Sequence, residues 1–187
     1  MNILVTTPQL LQQCQAGDAR ARAELVATHW TTVHRMALSI LDDPVEADEA
    51  AQDALIRAVG ALKSYRGDSA FITWLHAITL NVCRGRLRQR RAQGRLMHVL
   101  QTVFRVSRPT AHPQDIALQR EADRAVWEAI RVLDDKLREP VILRYYHDLP
   151  IAEIAQITGV SERTVHTRLR TAHDQLKMLL NDKVNFE

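Results

Sequence analysis

The sequence predicts an all-α protein: two small helical domains joined by a flexible basic linker, the C-terminal one containing a helix-turn-helix. Three observations carry that expectation. Alanine, leucine, arginine and glutamine are abundant, aromatics make up 5%, and no strongly alternating apolar–polar strand stands out. Only six glycines and six prolines interrupt 187 residues, which leaves room for long helices. Between two stretches of helical periodicity lies a segment carrying Pro109 and Pro113 and no acid before its end.

Taken in order, Gly17-Asp18 precedes a helix over residues 19–41, where Ala23, Val26, Ala27, Trp30, Val33, Ala37 and Ile40 recur at helical spacing. Asp42-Asp43-Pro44 breaks it, and Pro44 suits the first turn of an acid-rich helix reaching Leu62. Residues 64–69 form a polar loop around Gly67. A third helix starts near Ala70 and runs into the arginine tract 84–91. Residues 94–115 read as the linker, with a short helix near 96–103. Beyond it, helices are expected over 116–133, 137–146, 151–158 and 162–180.

Composition narrows the function. With 46% hydrophobic and 25% charged residues the chain folds, and no run approaches the roughly eighteen apolar residues of a membrane span. The first eight residues lack a basic stretch followed by an apolar core, so no leader is expected. Cys14 and Cys83 are too few for a disulfide framework. A soluble, reduced, cytoplasmic protein without stable membrane insertion is the expectation. The net charge of +3 hides its distribution. Residues 1–68 carry six Lys/Arg against nine Asp/Glu, residues 69–114 eight Arg and no acid, residues 115–187 eleven Lys/Arg against thirteen Asp/Glu. An acid-free basic block between acidic flanks suits a polyanion-binding segment.

The sharpest local signal spans residues 149–170. Ile151, Ile154 and Ala155 share a face of a short helix, Gly159 can take the left-handed conformation that ends it, and Ser161 is a preferred N-cap. Val165 and Leu169 then face inward, leaving Arg163, Thr164, His166, Thr167, Arg168 and Arg170 largely outward. An ordinary helical hairpin would share the spacing, but turn chemistry and polar face together favour a DNA-reading helix-turn-helix. Whether Arg168 or Arg170 bonds a guanine or a phosphate stays open at this level.

In the N-terminal half, Glu46, Asp48, Glu49 and Asp53 surround Gln52 on one helix. They suit solvated first-turn acids or a docking surface for a basic partner; a metal site is poorly supported, since no histidine lies at ligand spacing in that helix. Downstream, Tyr65, Arg66, Phe71 and Trp74 cluster around the loop and lead into Arg84, Arg86, Arg88, Arg90 and Arg91. Aromatic faces stack on unpaired bases while arginines track a backbone, the pairing that single-stranded nucleic acid requires. Trp74 alone suits a core better than a stacking platform, and the His76/Cys83 pair a core or surface role.

With these residues in view, the chain resembles a bacterial RNA polymerase sigma factor of the extracytoplasmic-function (ECF) group in the sigma-70 family, the minimal type that keeps only the second and fourth sigma regions. Three blocks carry the resemblance, in family order. Residues 46–55, Glu-Ala-Asp-Glu-Ala-Ala-Gln-Asp-Ala-Leu, resemble the acidic block that docks on the polymerase clamp helices. Residues 65–75, Tyr-Arg-Gly-Asp-Ser-Ala-Phe-Ile-Thr-Trp-Leu, with Asn81 and the arginines after it, resemble the promoter-melting block. Residues 141–169 resemble the region that binds the −35 element.

The resemblance implies region 2 over residues 1–93, a linker over 94–115 threading near the RNA exit path, and region 4 over 116–187. Glu46, Asp48, Glu49, Gln52 and Asp53 would bind the β′ clamp of core polymerase, with a further contact to the β flap. Tyr65, Arg66, Gly67, Asp68, Ser69, Phe71 and Trp74 would serve the −10 element, their loop holding a base flipped from the non-template strand. Unpairing costs a few kcal/mol, so such a pocket traps the opened state. Asn81, Arg84 and Arg88 would contact the −10 strand or its backbone, and Ser161, Arg163, Thr164, His166, Thr167, Arg168 and Arg170 the −35 element. An anti-sigma partner is implied too. The chain departs from the family at Leu55 and Val59, where a bulky aromatic is common, and at His166 and His173, where a basic residue is.

No nucleophile–base set, phosphate loop or metal motif competes with this, so no catalytic activity, cofactor or metal is expected. The rival is a helix-turn-helix regulator that binds duplex DNA without joining the polymerase; it leaves the acidic helix and the aromatic–arginine block unexplained. An enzyme of nucleic-acid chemistry ranks third.

Overall fold

The computed structural model describes residues 6–104 and 121–184, with side chains over 6–95 and 125–181. No strand occurs among the described residues. They divide into two units, one before and one after the 113–114 peptide bond.

The first unit opens with helix α1, Pro8–Ala16, which the sequence reading did not expect. Its signals are nonetheless present. Thr7 accepts from the Leu10 N–H through its hydroxyl, Pro8 occupies the first turn, and Gly17 closes the helix at φ 99°. Asp18 then caps α2, Ala19–Leu41, accepting from the Arg20 and Ala21 N–H groups at 2.8 and 3.2 Å. Asp43 caps α3, Pro44–Ala61, accepting from the Glu46 N–H at 2.9 Å. A 3-10 turn, Leu62–Ser64, leads to the loop before α4, Phe71–Phe104.

Helices α2, α3 and α4 pack on one another, with α1 against α2. The inner face of α3 is almost wholly alanine: Ala47, Ala50, Ala51, Ala54 and Ala58, with Leu55. Across it lie the fully buried Met36 and Leu41 of α2 and Leu75 and Leu80 of α4. The expected stripe on α2 is half right. Val33, Ala37 and Ile40 are buried, but Ala23, Ala27 and Trp30 are exposed, and Ala21, Leu25 and His29 take the inner positions instead. The cause is His29, a polar residue in a core position, whose Nε2 pairs with Thr6 Oγ1 at 2.7 Å.

Helix α4 also runs past Gly94, where the linker was expected to begin. A glycine in a helix interior costs about 1 kcal/mol, too little to stop a segment of arginine, glutamine, leucine and methionine. The rest of the expected linker, and the first residues of the helix expected from 116, lie outside the described residues.

The second unit holds α5, Glu121–Val132; α6, Asp135–Val141; α7, Ile151–Thr158; and α8, Glu162–Val184. Leu133, Val141 and Ala172 form a core flanked by Ile130, Leu137, Leu169 and Leu176. The single helix expected over 137–146 is instead α6 followed by a π-helical turn, Ile142–Tyr146. Pro140 lies inside α6 and has no N–H to bond one turn back; beyond it the ladder widens, with the His147 N–H reaching the Ile142 carbonyl at 3.2 Å.

Two buried histidines make the first unit acid-sensitive. Burial, then the nearby His29 and Arg35 charges, push His76 down to about 4, and burial lowers His29 as well. Unfolding returns His76 toward its ordinary value near 6.5, so the unfolded chain binds more protons between those limits. The stability is whole above pH 6.5 and is lost as pH falls toward 4. Denaturant unfolding followed by circular dichroism should show a loss of about 2 kcal/mol between pH 7 and pH 5. A His76→Leu variant should flatten that dependence.

Candidate nucleic-acid interface

The loop before α4 is built on three rings. Tyr65 lies 5.2 Å from Trp74 and 5.6 Å from Phe71, and Phe71 lies 5.5 Å from Trp74, centroid to centroid. Phe71 is buried and also meets the His29 ring at 5.3 Å, so it supports the loop from below. The Tyr65 hydroxyl donates to the Ser69 carbonyl at 2.7 Å, closing the turn in which Gly67 takes φ 83°. From α1, the Gln15 amide donates to the Leu62 and Tyr65 carbonyls at 3.0 and 3.4 Å. That brace was not read from the sequence, although Thr7-Pro8 and Gly17 mark the helix that carries it.

Ser64, Tyr65, Arg66, Asp68, Ser69 and Trp74 line a cavity of about 260 Å³ over this platform. Trp74 therefore does both things: one side packs on Phe71 and Tyr65, and the ring still lines the cavity. Burial, then the Asp68 charge, raise the Tyr65 phenol pKa, so the ring enters the cavity wall neutral. Asn81, Arg84 and Arg88 do not join the cavity lining. Spaced three and four apart, they share one face of α4 farther along, with Asn81 and Arg88 exposed and Arg84 half-buried.

The arginine tract divides between two faces. Arg86 reaches α3, donating to Glu49 at 2.6 Å and Asp53 at 2.7 Å. Arg90 pairs with Glu46 at 2.7 Å and donates to the Leu41 carbonyl at the end of α2 at 3.3 Å. On the other flank of α3, Asp48 meets His34 at 3.0 Å. Four of the five residues expected to face the polymerase are thus engaged inside the unit. Gln52 is exposed. For Arg86, burial opposes the charge, but the bonds to Glu49 and Asp53 outweigh it and raise the pKa.

In the second unit Gly159, at φ 72°, ends α7, and its N–H and that of Val160 both reach the Ala155 carbonyl. The Ser161 hydroxyl accepts from the Thr164 N–H at 3.2 Å, capping α8, which starts at the next residue. Val165 and Ala172 are buried and Leu169 is half-buried. Arg163, Thr167 and Arg170, spaced four and three, form the ridge opposite them, with His166 exposed on its flank. The Thr167 hydroxyl donates to the Arg163 carbonyl at 3.0 Å. Thr164 and Arg168 sit half-buried on the shoulders of the helix.

Comparison with known proteins places this geometry. Residues 25–93 match sigma-70 region 2, and residues 123–176 match sigma-70 region 4. The ECF RNA polymerase sigma factor SigM of Mycobacterium tuberculosis is 34% identical over 172 residues, covering 92% of this chain and 83% of its own. The chain belongs to the ECF sigma factors. RNA polymerase sigma-H factor of Pseudomonas aeruginosa is 30% identical over 178 residues, 92% of each chain. Among solved structures, CnrH in complex with the cytosolic domain of CnrY shares 25% identity at a TM-score of 0.65, covering 93% of this chain and 96% of that one. RpoE of Bartonella quintana, solved with the anti-sigma factor NepR, shares the fold at 23% identity and TM-score 0.63, covering 85% and 96%.

This sigma factor is therefore a promoter-directing subunit of RNA polymerase and not an enzyme. Its first unit carries region 2 and its second region 4. Helix α1 precedes the region 2 match. Among the described residues there is no cluster of three or more metal-ligating side chains, and no helix long and apolar enough to cross a membrane.

The Tyr65–Ser69 bond should control loop order. Replacing Tyr65 by Phe keeps the ring and removes a bond worth about 1 kcal/mol. Trypsin should then cut after Arg66 several-fold faster while the helical circular dichroism signal stays the same.

Proposed function

We propose that the cavity over Tyr65 and Trp74 receives one unpaired base of the −10 element, and that Asn81, Arg84 and Arg88 follow the same strand along α4. The observation that carries this reading is the joint presence of an aromatic-walled cavity and a polar, basic face on the helix leading from it. Arg66 and Asp68 at the rim supply a donor and an acceptor for a base edge. Gly67 sets the turn, and Phe71 holds the platform from beneath.

Helix α8 enters the major groove of the −35 element. Arg163, Thr167 and Arg170 face the base edges, with His166 beside them, while Arg168 reaches a phosphate from the shoulder. Ser161 and Thr164 secure the helix start. Region 2 extends over residues 1–93 and region 4 over 116–187, with 94–115 between them. Core polymerase meets region 2 through its β′ clamp at α3 and region 4 through its β flap. The protein acts in the cytoplasm, and an anti-sigma factor binds it; RpoE of Bartonella quintana, which shares the fold, is solved in complex with the anti-sigma factor NepR.

Run-off transcription with bacterial core polymerase on a genomic promoter library tests the reading. Discrete new starts sharing −35 and −10 sequences are expected; a folded, core-binding protein that yields none overturns it. On one such promoter, Arg163→Ala or Arg170→Ala should relax the preference at single −35 positions, by about 1–3 kcal/mol per base pair. Arg168→Ala should weaken all sequences alike and reduce the salt slope of binding by about 1.

A further inference from the structure

Helix α3 has three faces of different character. The innermost is the alanine seam, Ala47, Ala50 and Ala54, packed between α2 and α4. The flanks are charged and occupied: Glu46, Glu49 and Asp53 turn toward Arg90 and Arg86 of α4, and Asp48 toward His34 of α2. The outermost face holds Val45, Gln52 and Ile56, with Glu49 at its edge beside Ile56. At about 100° per residue these three fall within about 40° of one another, opposite the alanine seam. Val45 is 68% and Ile56 63% exposed, although both are large and apolar.

We propose that α3 meets core polymerase through the ridge Val45–Gln52–Ile56, and that Glu46, Glu49 and Asp53 are positioning residues that act through Arg86 and Arg90. This rests on α3 being the polymerase-docking helix. It reverses the assignment that residue type alone suggests, in which the acids make the contact.

Three features fit a helix of the polymerase as the occupant. Spacings of seven and four residues along about 16 Å are those of a helix-on-helix seam. Gln52 between two apolar groups offers a donor and an acceptor, which fixes register as a lone polar group does in a helical interface. Four acids against Arg57, Arg86 and Arg90 leave the flanks acidic by one charge, which suits a helix with a cation beside its apolar stripe.

The pairs set where the ridge points. Arg86 spans Glu49 and Asp53, one turn apart on α3, and Arg90 ties Glu46 to the end of α2. Together they fix the rotation of α3 about its own axis against two neighbours. An alanine seam has little relief of its own to resist such rotation.

Dissociation of the full-length protein from immobilised core polymerase tests both halves, because contacts set that rate and long-range charge chiefly affects association. Ile56→Asp should speed dissociation about tenfold or more at an unchanged melting temperature, as a lost interface anchor does. Arg86→Ala should speed it a few-fold, and Glu49→Ala with Asp53→Ala should match that. Combined, the two sets should do no more than either alone. Arg86→Lys should recover part of the loss, since lysine lacks the fork that spans two carboxylates.

Native-like dissociation of Ile56→Asp overturns the ridge. Multiplying effects of the acid and arginine substitutions overturn the positioning role. A native protein that does not bind core at all overturns the docking reading beneath both.

Discussion

The first unit depends on how closely α3 can approach its neighbours. Ala47, Ala50, Ala51, Ala54 and Ala58 put no side chain longer than a methyl group between the α3 backbone and helices α2 and α4. That proximity lets Arg86 and Arg90 reach from α4 to carboxylates on α3, 33 to 44 residues earlier in the chain. Larger residues in the seam would push the helices apart and lengthen every one of those pairs. The charged flanks, the exposed ridge and the direction of the remaining α4 arginines all follow from the small seam.

A comparable economy governs the melting loop. Its order comes from three rings, one hydroxyl bond and one amide from α1, not from a regular element of its own. Phe71 ties that platform to His29 and hence to the core. In the second unit the corresponding constraint is the tight step between α7 and α8, where Gly159 and Ser161 satisfy the helix ends within three residues.

Local chemistry made much of this legible. The limits of α2 and α7 match the expected spans because Asp18, Asp42 and Gly159 mark their ends, and both sigma regions were visible in the blocks around Gln52, Trp74 and Val165. Helix α1 was missed despite its caps, since nine residues present little periodicity. The stripe on α2 slipped because a buried histidine looks like a surface residue. Gly94 reads as a boundary by residue type, but the helix-forming arginine, glutamine and leucine around it outweigh its cost of about 1 kcal/mol. The partners of Glu46, Glu49 and Asp53 were illegible for a different reason. Residue type says that an acid wants a cation, but only the packing of α3 on α4 says that Arg86 and Arg90 supply it.

Those same pairs order the protein's manufacture. A growing chain presents Glu46, Asp48, Glu49 and Asp53 well before Arg86 and Arg90 exist, and over that interval the four carboxylates repel one another on a single helix. Glu46, Glu49 and Asp53 gain their arginine partners only when synthesis has passed residue 90. A ribosome-bound fragment shorter than that is therefore more acidic, and less settled, at the very helix a polymerase would have to grip. The helix that carries Gln52 thus takes its final setting only after the helix that leads away from the melting loop has been made.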